Sequence, residues 1–382
     1  MTSEKSQGSP LGSRELVRYR RHFVIPEVGV LGQERLKAVR VLLVGLGGLG
    51  SPSALYLAAA GVGTLGFVDP DVVDESNLQR QLLYGTTDVG RAKVDAARER
   101  IAENNPNVRI VTHHARLGAS NALDILREYD VIVDGTDNFA ARYLVNDACV
   151  LLDKPNVYGS VFRFEGQVSV FWASRGPCYR CLVREPPPAE LAPSCAEGGV
   201  LGVLPGMIGV AQALEVLKLV LGVGAPLVGR LQLFDGLSFR WRELTVRKDP
   251  QCPMCGPSRS ISTLNDRETQ CAATADLLSI SPAELRARLD AGVVPALVDV
   301  REPAEWDIVN LSHHGARSIP LSRLRDALPD LVDTPVVLYC LSGPRSASAA
   351  QELRAAGATN VSFLAGGIRA WIDGVEPWLP RY

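Results

Sequence analysis

The stretch VLLVGLGGLGSPSALYLAAAGVGTLGFVD, residues 41–69, decides the fold of the first part of the chain. It begins with a short apolar run, turns at GLGGLG (Gly45–Gly50), continues with the composition of a helix, and ends in a second strand-like run that closes on Asp69. A strand, a glycine-rich turn, a helix and a second strand make a βαβ unit. This unit predicts a parallel sheet with helices on both faces.

The chain has 382 residues, more than one domain usually holds, and its sequence divides into two α/β blocks. Further strand-like runs, VRIVT and DVIVDG, predict a Rossmann-like first domain with a mainly parallel sheet. A smaller block follows, with strands at ALVDV and VVLYC and with Ser281 placed to cap a helix. The predicted organisation is a disordered N-terminus (1–13), a first domain (14–256), a linker (257–276) and a second domain (277–382).

The composition is that of a soluble protein, with 46% hydrophobic and 21% charged residues and a formal net charge of -2. Such a balance gives no reason to expect nucleic acid or membrane as a partner. The N-terminus lacks the apolar segment of a signal peptide. The longest apolar stretch, Met207–Val223, is interrupted by Gln212, Glu215 and Lys218, which predicts a buried helix with one polar stripe. We therefore expect a cytoplasmic protein.

The glycine-rich turn predicts a nucleotide site, because its backbone N–H groups and the following helix N-terminus favour phosphate. Asp69 ends the next strand, where an acid binds ribose hydroxyls; this much fits NAD as well as ATP. SNLQRQ (76–81) then supplies Arg80, and Lys93 follows. Cations of this kind stabilise a leaving pyrophosphate, which favours ATP. The carboxylate of Asp137, in DGTDN, is placed to hold Mg²⁺.

Two C-x-x-C pairs predict a metal site. In each pair, two intervening residues let both thiolates face one ion, and two pairs complete a tetrahedral site. The alternative is a redox pair, which needs only one C-x-x-C. The predicted ligands of a structural Zn²⁺ are Cys178, Cys181, Cys252 and Cys255.

Two other cysteines have the features of reactive thiols. Cys195, in APSCAEGGV, follows a proline-rich stretch that should leave it accessible. Cys340 ends an apolar strand and is followed by LSGPRS, a loop whose N–H groups should surround a thiolate. Arg345, at the end of that loop, offers a charge-assisted donor to an oxyanion or a persulfide.

GLGGLG, DPD at Asp69–Asp71, SNLQRQ, Lys93 and GTDN occur together in an order and spacing that resemble the adenylyltransferases of sulfur-carrier proteins. These ThiF/MoeB-like enzymes of molybdopterin-synthase and thiazole-synthesis activation are relatives of the ubiquitin-activating enzyme. The resemblance covers the first block. It implies that ATP and Mg²⁺ are contacted by Gly48, Asp69, Ser76, Asn77, Leu78, Gln79, Arg80, Lys93, Asp137 and Asn138.

The same resemblance has three further implications. RYRRH (18–22) is similar to the family's N-terminal segment, whose arginine reaches the partner subunit's ATP site, so Arg21 implies a homodimer. Cys195 becomes the candidate for a transient thioester or mixed disulfide with the carrier. Zinc is expected at the four cysteines, although some fused members lack them.

The second block resembles a rhodanese domain through DVREPAEW, GARSIP and FLAGGIRAW. The resemblance implies that Cys340 carries a persulfide. A related phosphatase type, similar to Cdc25, has one more residue in the loop; the spacing from Cys340 to Arg345 fits the shorter loop that handles sulfur.

Together the two blocks resemble the fused, MoeZ-like adenylyltransferase/sulfurtransferases. The resemblance implies an ATP-dependent enzyme that loads sulfur on a ubiquitin-like carrier ending in Gly-Gly, with thiosulfate or a cysteine desulfurase as sulfur donor. One rival is a conjugating activator that passes a Cys195 thioester onward and uses the rhodanese domain for docking. Another is a nicotinamide-binding oxidoreductase. The pathway stays open between molybdopterin, thiamin, cysteine, tRNA and a specialised metabolite.

Overall fold

The computed structural model describes residues 10–186, 199–266, 278–292 and 295–382. The chain divides into two compact units, Met1–Arg267 and Glu268–Tyr382. Each unit is an α/β structure with its own sheet, as the sequence predicts.

The first unit is built on an eight-stranded sheet in the order β3-β2-β1-β4-β5-β6-β7-β8. The first five strands in this order pair in parallel and the last three join antiparallel. The strands are β1 (Arg40–Val44), β2 (Thr64–Val68), β3 (Arg109–His113), β4 (Val131–Asp134), β5 (Asn156–Phe162), β6 (Glu165–Phe171), β7 (Arg230–Asp235) and β8 (Arg240–Thr245).

Helices cover both faces of the parallel part, because its central strands are apolar on both sides and must be buried twice. The helices that the structure describes in this unit are α1 (Ser13–Arg18), α2 (Arg20–Phe23), α3 (Gly29–Ala38), α4 (Gly50–Ala60), α5 (Lys93–Asn104), α6 (Ala122–Arg127), α7 (Phe139–Leu152), α8 (Tyr179–Leu182) and α9 (Val203–Leu221).

The strand order reverses between β1 and β4, which opens a crevice at the carboxyl ends of these strands. The register brings those ends together, since Val44 lies opposite both Val68 of β2 and Asp134 of β4. The loops that follow β1, β2 and β4 therefore meet at one edge of the sheet.

Helix α9 is long and apolar enough to cross a membrane by length and composition alone. Its polar side chains, however, are bonded inside the unit. The Gln212 amide is fully buried and donates to the carbonyls of Asp134 at 2.7 Å and Val157 at 2.9 Å. Glu215 accepts the N–H of Leu227 at 2.8 Å. The helix is thus part of the core against the sheet, as its polar stripe predicts.

The second unit contains a five-stranded parallel sheet in the order β11-β10-β12-β13-β9. Its strands are β9 (Leu278–Ile280), β10 (Ala296–Asp299), β11 (Arg317–Ser318), β12 (Val336–Tyr339) and β13 (Val361–Leu364). The helices described are α10 (Pro282–Asp290), α11 (Pro303–Ile308), α12 (Leu324–Leu331), α13 (Pro344–Ala355) and α14 (Gly367–Gly374).

Local sequence explains where these elements start. Ser281 accepts the N–H of Glu284 at 3.2 Å and caps α10, as predicted, with proline in its first turn. Helix α13 begins directly after the loop that follows β12, so its N-terminus lies at the predicted sulfur-handling loop.

Candidate functional site

The glycine-rich turn between β1 and α4 requires glycine at two of its positions, because of the backbone conformation at Gly45 and the lack of space for a side chain at Gly50. Gly45 has φ of +86°, and a Cβ on Gly50 would lie 2.0 Å from the carbonyl oxygen of Gly45. A Cβ on Gly45 would also lie 2.9 Å from the carbonyl oxygen of Gly135, in the loop after β4. The two loops are therefore in contact, and they form one edge of the crevice.

Asp69 follows β2 and links that strand to the glycine-rich turn. Its carboxylate is 4% exposed and accepts the N–H groups of Leu46 at 2.7 Å and Asp71 at 2.9 Å. Burial raises the pKa of the Asp69 carboxyl, and the charge of Lys93 opposes this effect. The carbonyl of Leu46 accepts the Tyr84 hydroxyl at 3.1 Å. Side chains outside the turn therefore hold both the N–H and the carbonyl of Leu46.

Two cations lie near the turn, as the sequence predicts. A Cβ on Gly48 would lie 3.6 Å from Cδ of Arg80, whose guanidinium donates to the carbonyl of Ser76 at 3.0 Å. Lys93 begins α5, and its side chain is 5% exposed and donates to Asp71 at 3.0 Å. The DPD motif therefore supplies the partner of Lys93, a role that the sequence did not assign to Asp71.

The remaining residues of SNLQRQ have different environments. The side chains of Ser76 and Asn77 hydrogen-bond each other at 3.2 Å in a short 3₁₀ turn. Leu78 packs against the core. Gln79 lies against Gly202, since a Cβ added to Gly202 would be 2.2 Å from the Gln79 carbonyl oxygen.

The acids of DGTDN divide into a buried and an exposed carboxylate. Asp134 is fully buried and accepts the N–H of Thr136 at 3.0 Å, and burial raises its pKa. Asp137 is exposed, 3.5 Å from the donating amide of Asn138. Asn138 caps α7 by accepting the N–H of Ala141 at 2.9 Å. Asp137 is therefore the accessible carboxylate of this motif.

This arrangement fits a nucleoside triphosphate. A glycine-rich turn before a helix N-terminus is flanked by the Asp69 carboxylate, by two cations and by one exposed acid. Arg21, predicted to serve a partner's site, lies exposed on α2.

The four predicted zinc ligands come together although two of them lie 74 positions from the others. Their sulfurs are all within 4.8 Å of one another. Cys178 Sγ lies 3.6 Å from Cys252 Sγ, and Cys181 Sγ lies 3.4 Å from Cys255 Sγ. Four thiolates at about 2.3 Å from one tetrahedral ion have sulfurs about 3.8 Å apart, so the spacing fits Zn²⁺. The Asp249 N–H donates to Cys181 at 3.4 Å.

Removing this metal is expected to destabilise the first unit, because it opens a cross-link between chain positions 74 residues apart. A cross-link that closes such a loop contributes about 4 kcal/mol, which corresponds to a fall of about 10 °C in melting temperature. Cys252→Ser should lose the bound zinc measured by elemental mass spectrometry and show this fall in a thermal scan. Cys149→Ala, at a cysteine outside the cluster, should keep its zinc; equal zinc contents would contradict the assignment.

Cys195 lies in 187–198 and Cys271 in 267–277, outside the described residues, so the role of Cys195 stays a prediction. The start of the predicted linker lies within the described part. Leu264 packs with the cluster around α6 and α7, and Asp266 accepts the N–H of Ala119 at 2.6 Å. These residues belong to the first unit.

Cys340 directly follows β12 and is enclosed by the loop that begins there. The thiol is 1% exposed, accepts the N–H of Gly343 at 3.1 Å, and lies 3.5 Å from the Ser346 hydroxyl. A Cβ on Gly367, of the FLAGGIRAW motif, would lie 2.5 Å from the Cys340 carbonyl oxygen, so this motif packs against the loop. Helix α13 starts at Pro344. The Gly343 N–H and the N-terminus of α13 therefore both lie at the loop that encloses the Cys340 sulfur.

Arg345 is engaged by a partner that the sequence did not indicate. Its two terminal nitrogens donate to the Glu305 carboxylate at 2.6 and 2.8 Å. Burial disfavours the charged carboxylate, but the Arg345 pair outweighs it and keeps the pKa of Glu305 below its usual range. Glu305 stands in the REPAEW segment, 40 positions earlier, and only the fold brings the two together.

The pair His313–His314 also acquires an acid from a distant part of the sequence. Their Nε2 atoms lie 2.9 and 2.8 Å from the two oxygens of Glu376. The same carboxylate accepts the Trp371 N–H at 2.9 Å and lies 3.7 Å from Arg286. Because Glu376 accepts all these bonds, it anchors α14. The positive charge of Arg286 disfavours a metal ion beside the two histidines.

Comparison with known proteins agrees with this geometry. Residues 19–254 match the ThiF family and residues 281–373 match the rhodanese-like domain. The chain is similar to the probable adenylyltransferase/sulfurtransferase MoeZ of Mycobacterium tuberculosis, with 49% identity over 98% of this chain and 97% of the relative. It is also similar to the adenylyltransferase and sulfurtransferase MOCS3 of Mus musculus, with 41% identity over 97% of this chain and 88% of the relative.

Among solved structures, E. coli MccB with ATP is similar to this chain in fold. Its TM-score is 0.56 at 22% sequence identity, and the match covers 64% of this chain and 75% of that one. The likeness supports the α/β architecture described above.

Proposed function

Because the chain belongs to the ThiF family and is an adenylyltransferase and sulfurtransferase, we propose that it converts the C-terminal glycine carboxylate of a ubiquitin-like sulfur carrier into a thiocarboxylate. The observation that carries this proposal is the presence, in one chain, of a nucleotide crevice and an enclosed cysteine loop. We assign the adenylyltransferase to residues 14–256 and the rhodanese domain to 277–382, in a cytoplasmic enzyme.

The first reaction is the adenylylation of the carrier. The carboxylate attacks the α-phosphorus of ATP, and pyrophosphate leaves as the acyl-adenylate forms. Asp69 holds the ribose, while Arg80 and Lys93 stabilise the charge that grows on the leaving pyrophosphate. The exposed carboxylate of Asp137 would hold Mg²⁺, which neutralises phosphate charge.

The second reaction transfers sulfur. The terminal sulfur of a Cys340 persulfide attacks the acyl carbon and displaces AMP, which leaves an acyl-disulfide between carrier and Cys340. The Gly343 N–H, 3.1 Å from the Cys340 sulfur, steadies the reacting group before and after this step. Once the carrier has been released and Cys340 is again a free thiolate, the donor, thiosulfate or a cysteine desulfurase, supplies the next outer sulfur.

Release of the product needs a reductant. We assign this to Cys195, whose thiolate attacks the Cys340 sulfur, forms a Cys195–Cys340 disulfide, and releases the thiocarboxylate with the electron pair of the broken bond. An external thiol then reduces the disulfide. The proline-rich stretch before Cys195, which predicts an accessible thiol, supports this role.

A homodimer completes the nucleotide site in this proposal, because Arg21 acts in the partner. Mixing Arg21→Ala with Lys93→Ala chains should therefore recover about a quarter of the wild-type rate, since half of the dimers are mixed and hold one intact site. Pyrophosphate formation in mixed and unmixed samples measures this. If mixing recovers nothing while the chains exchange, Arg21 acts in its own subunit.

The full proposal is tested on the carrier itself. The enzyme is incubated with Mg-ATP, a reduced sulfur donor and a ubiquitin-fold carrier ending in Gly-Gly, and the intact mass of the carrier is measured. A shift from carboxylate to thiocarboxylate is expected. A carrier that stops at the acyl-adenylate with every donor would overturn the sulfur-transfer half, and a Cys195 thioester passed to another protein would favour the conjugation rival.

A further inference from the structure

The Arg345–Glu305 pair lies at the loop that encloses Cys340. Both partners are largely buried, with side chains 12% and 18% exposed. Each terminal nitrogen of Arg345 donates to a different Glu305 oxygen, in the two-point geometry that holds both groups in one orientation. The arginine at this cysteine therefore faces a carboxylate of its own chain.

Further contacts hold Glu305 in this position. Its carboxylate accepts the Tyr382 hydroxyl at 3.1 Å and the N–H of Glu302 at 3.0 Å. Tyr382 in turn accepts from Arg301 at 2.5 Å. Arg301 is fully buried and paired with Asp299. The last residue of the sequence and the backbone at the start of its own helix thus both hold Glu305 against Arg345.

The charge of this pair matters because the sulfur donors differ in charge. Thiosulfate carries two negative charges and must approach a thiolate, whereas a hydropersulfide group carries at most one. The Glu305 carboxylate cancels the charge of Arg345, so the pair offers no net positive charge to a dianion. In a partly buried site the repulsion between donor and thiolate is weakly screened.

We propose that Glu305 is a positioning residue that sets donor specificity, because it withholds Arg345 from small dianionic donors and so favours hydropersulfides. This inference rests on the proposed function, in which Cys340 accepts sulfur. With a hydropersulfide, the Cys340 thiolate attacks the outer sulfur, a new S–S bond forms, and the donor leaves as a thiolate. With thiosulfate the same attack releases sulfite.

The experiment measures the rate at which Cys340 gains one sulfur atom, followed by intact mass of the full chain. The donors are thiosulfate and the hydropersulfide of N-acetylcysteine methyl ester, which is uncharged outside its sulfur. The variants are Glu305→Gln, which keeps shape and removes charge, and Asp307→Asn, a matched loss of charge at an exposed position of the same helix. A third variant combines Glu305→Gln with Arg345→Ala.

Glu305→Gln should raise kcat/KM for thiosulfate about tenfold, mainly through KM, and this gain should shrink as salt is added. Its rate with the hydropersulfide should change less than about threefold, because that donor carries less charge. The control variant should resemble wild type, and the double variant should lose the gain.

An equal gain with both donors would overturn the proposal, since it would indicate a more open loop rather than a freed cation. So would no gain with thiosulfate in a folded Glu305→Gln protein whose Cys340 still reacts with the hydropersulfide. If wild-type Cys340 accepts sulfur from neither donor, the proposed function itself fails. Should Glu305→Gln not fold, Tyr382→Phe removes one brace without changing charge and should give a smaller gain of the same selectivity.

Discussion

Replacing Cys340 by alanine is expected to lower thiocarboxylate formation roughly 10³-fold or more, while adenylylation of the carrier continues. In the proposed mechanism the two reactions use different sites: Cys340, directly after β12, accepts the sulfur, whereas the adenylate forms at the crevice between β1 and β4. The carrier should therefore accumulate as acyl-adenylate or be hydrolysed back, and its intact mass should show no sulfur. Pyrophosphate release should persist.

Two controls make this result specific. Cys340→Ser keeps a hydrogen-bonding side chain in the loop and should fail equally, which shows that sulfur is required. Cys149→Ala removes another buried thiol, 2% exposed in the first unit, and should remain active. If thiocarboxylate still forms with Cys340→Ala, sulfur reaches the carrier by another route. If instead Cys340→Ala still conjugates the carrier to another protein through Cys195, the docking rival is correct.

The second large effect is expected at Lys93. Lys93→Met should slow adenylylation by about 10² to 10³-fold, because in the proposed mechanism this cation stabilises the leaving pyrophosphate. The buried ammonium, with a side chain 5% exposed, donates to the exposed Asp71 carboxylate, and its charge also acts on the buried Asp69 carboxyl. The measurement is isotope exchange between pyrophosphate and ATP in the presence of the carrier.

Lys93→Arg keeps a cation and should retain more activity than Lys93→Met. Arg98 lies further along the same helix, and its side chain is 48% exposed. Arg98→Met should therefore behave as wild type. Thermal unfolding should show all three folded. A folded Lys93→Met that exchanges pyrophosphate at the wild-type rate would remove Lys93 from the mechanism.

The fold and the metal site could be predicted because their signals are local. The βαβ unit needs a strand, a turn and a helix in direct succession, and GLGGLG with its flanks supplies them. Each C-x-x-C pair places two ligands side by side by its own spacing, so only the meeting of the two pairs depended on the fold. The four sulfurs do lie together. The cap at Ser281 follows from the same kind of short-range rule.

The surroundings of the charged residues could not be predicted, since they depend on contacts between distant positions. Arg345 was expected to face an oxyanion or persulfide, but its nearest anion is Glu305, on a helix 40 residues away in sequence. His313 and His314 had no acid nearby in sequence, yet Glu376 bonds to both. Pairings of this kind follow from packing, which no spacing rule records.

The hold on Leu46 has a consequence for how fast a nucleotide can be captured. Asp69 fixes its N–H and Tyr84 fixes its carbonyl, so the turn already has one shape before any ligand arrives. A prearranged turn loses little conformational entropy on association. Nucleotide capture should then be a simple collision-limited docking with a single kinetic phase, and its rate should rise linearly with concentration rather than level off at a loop-closing step.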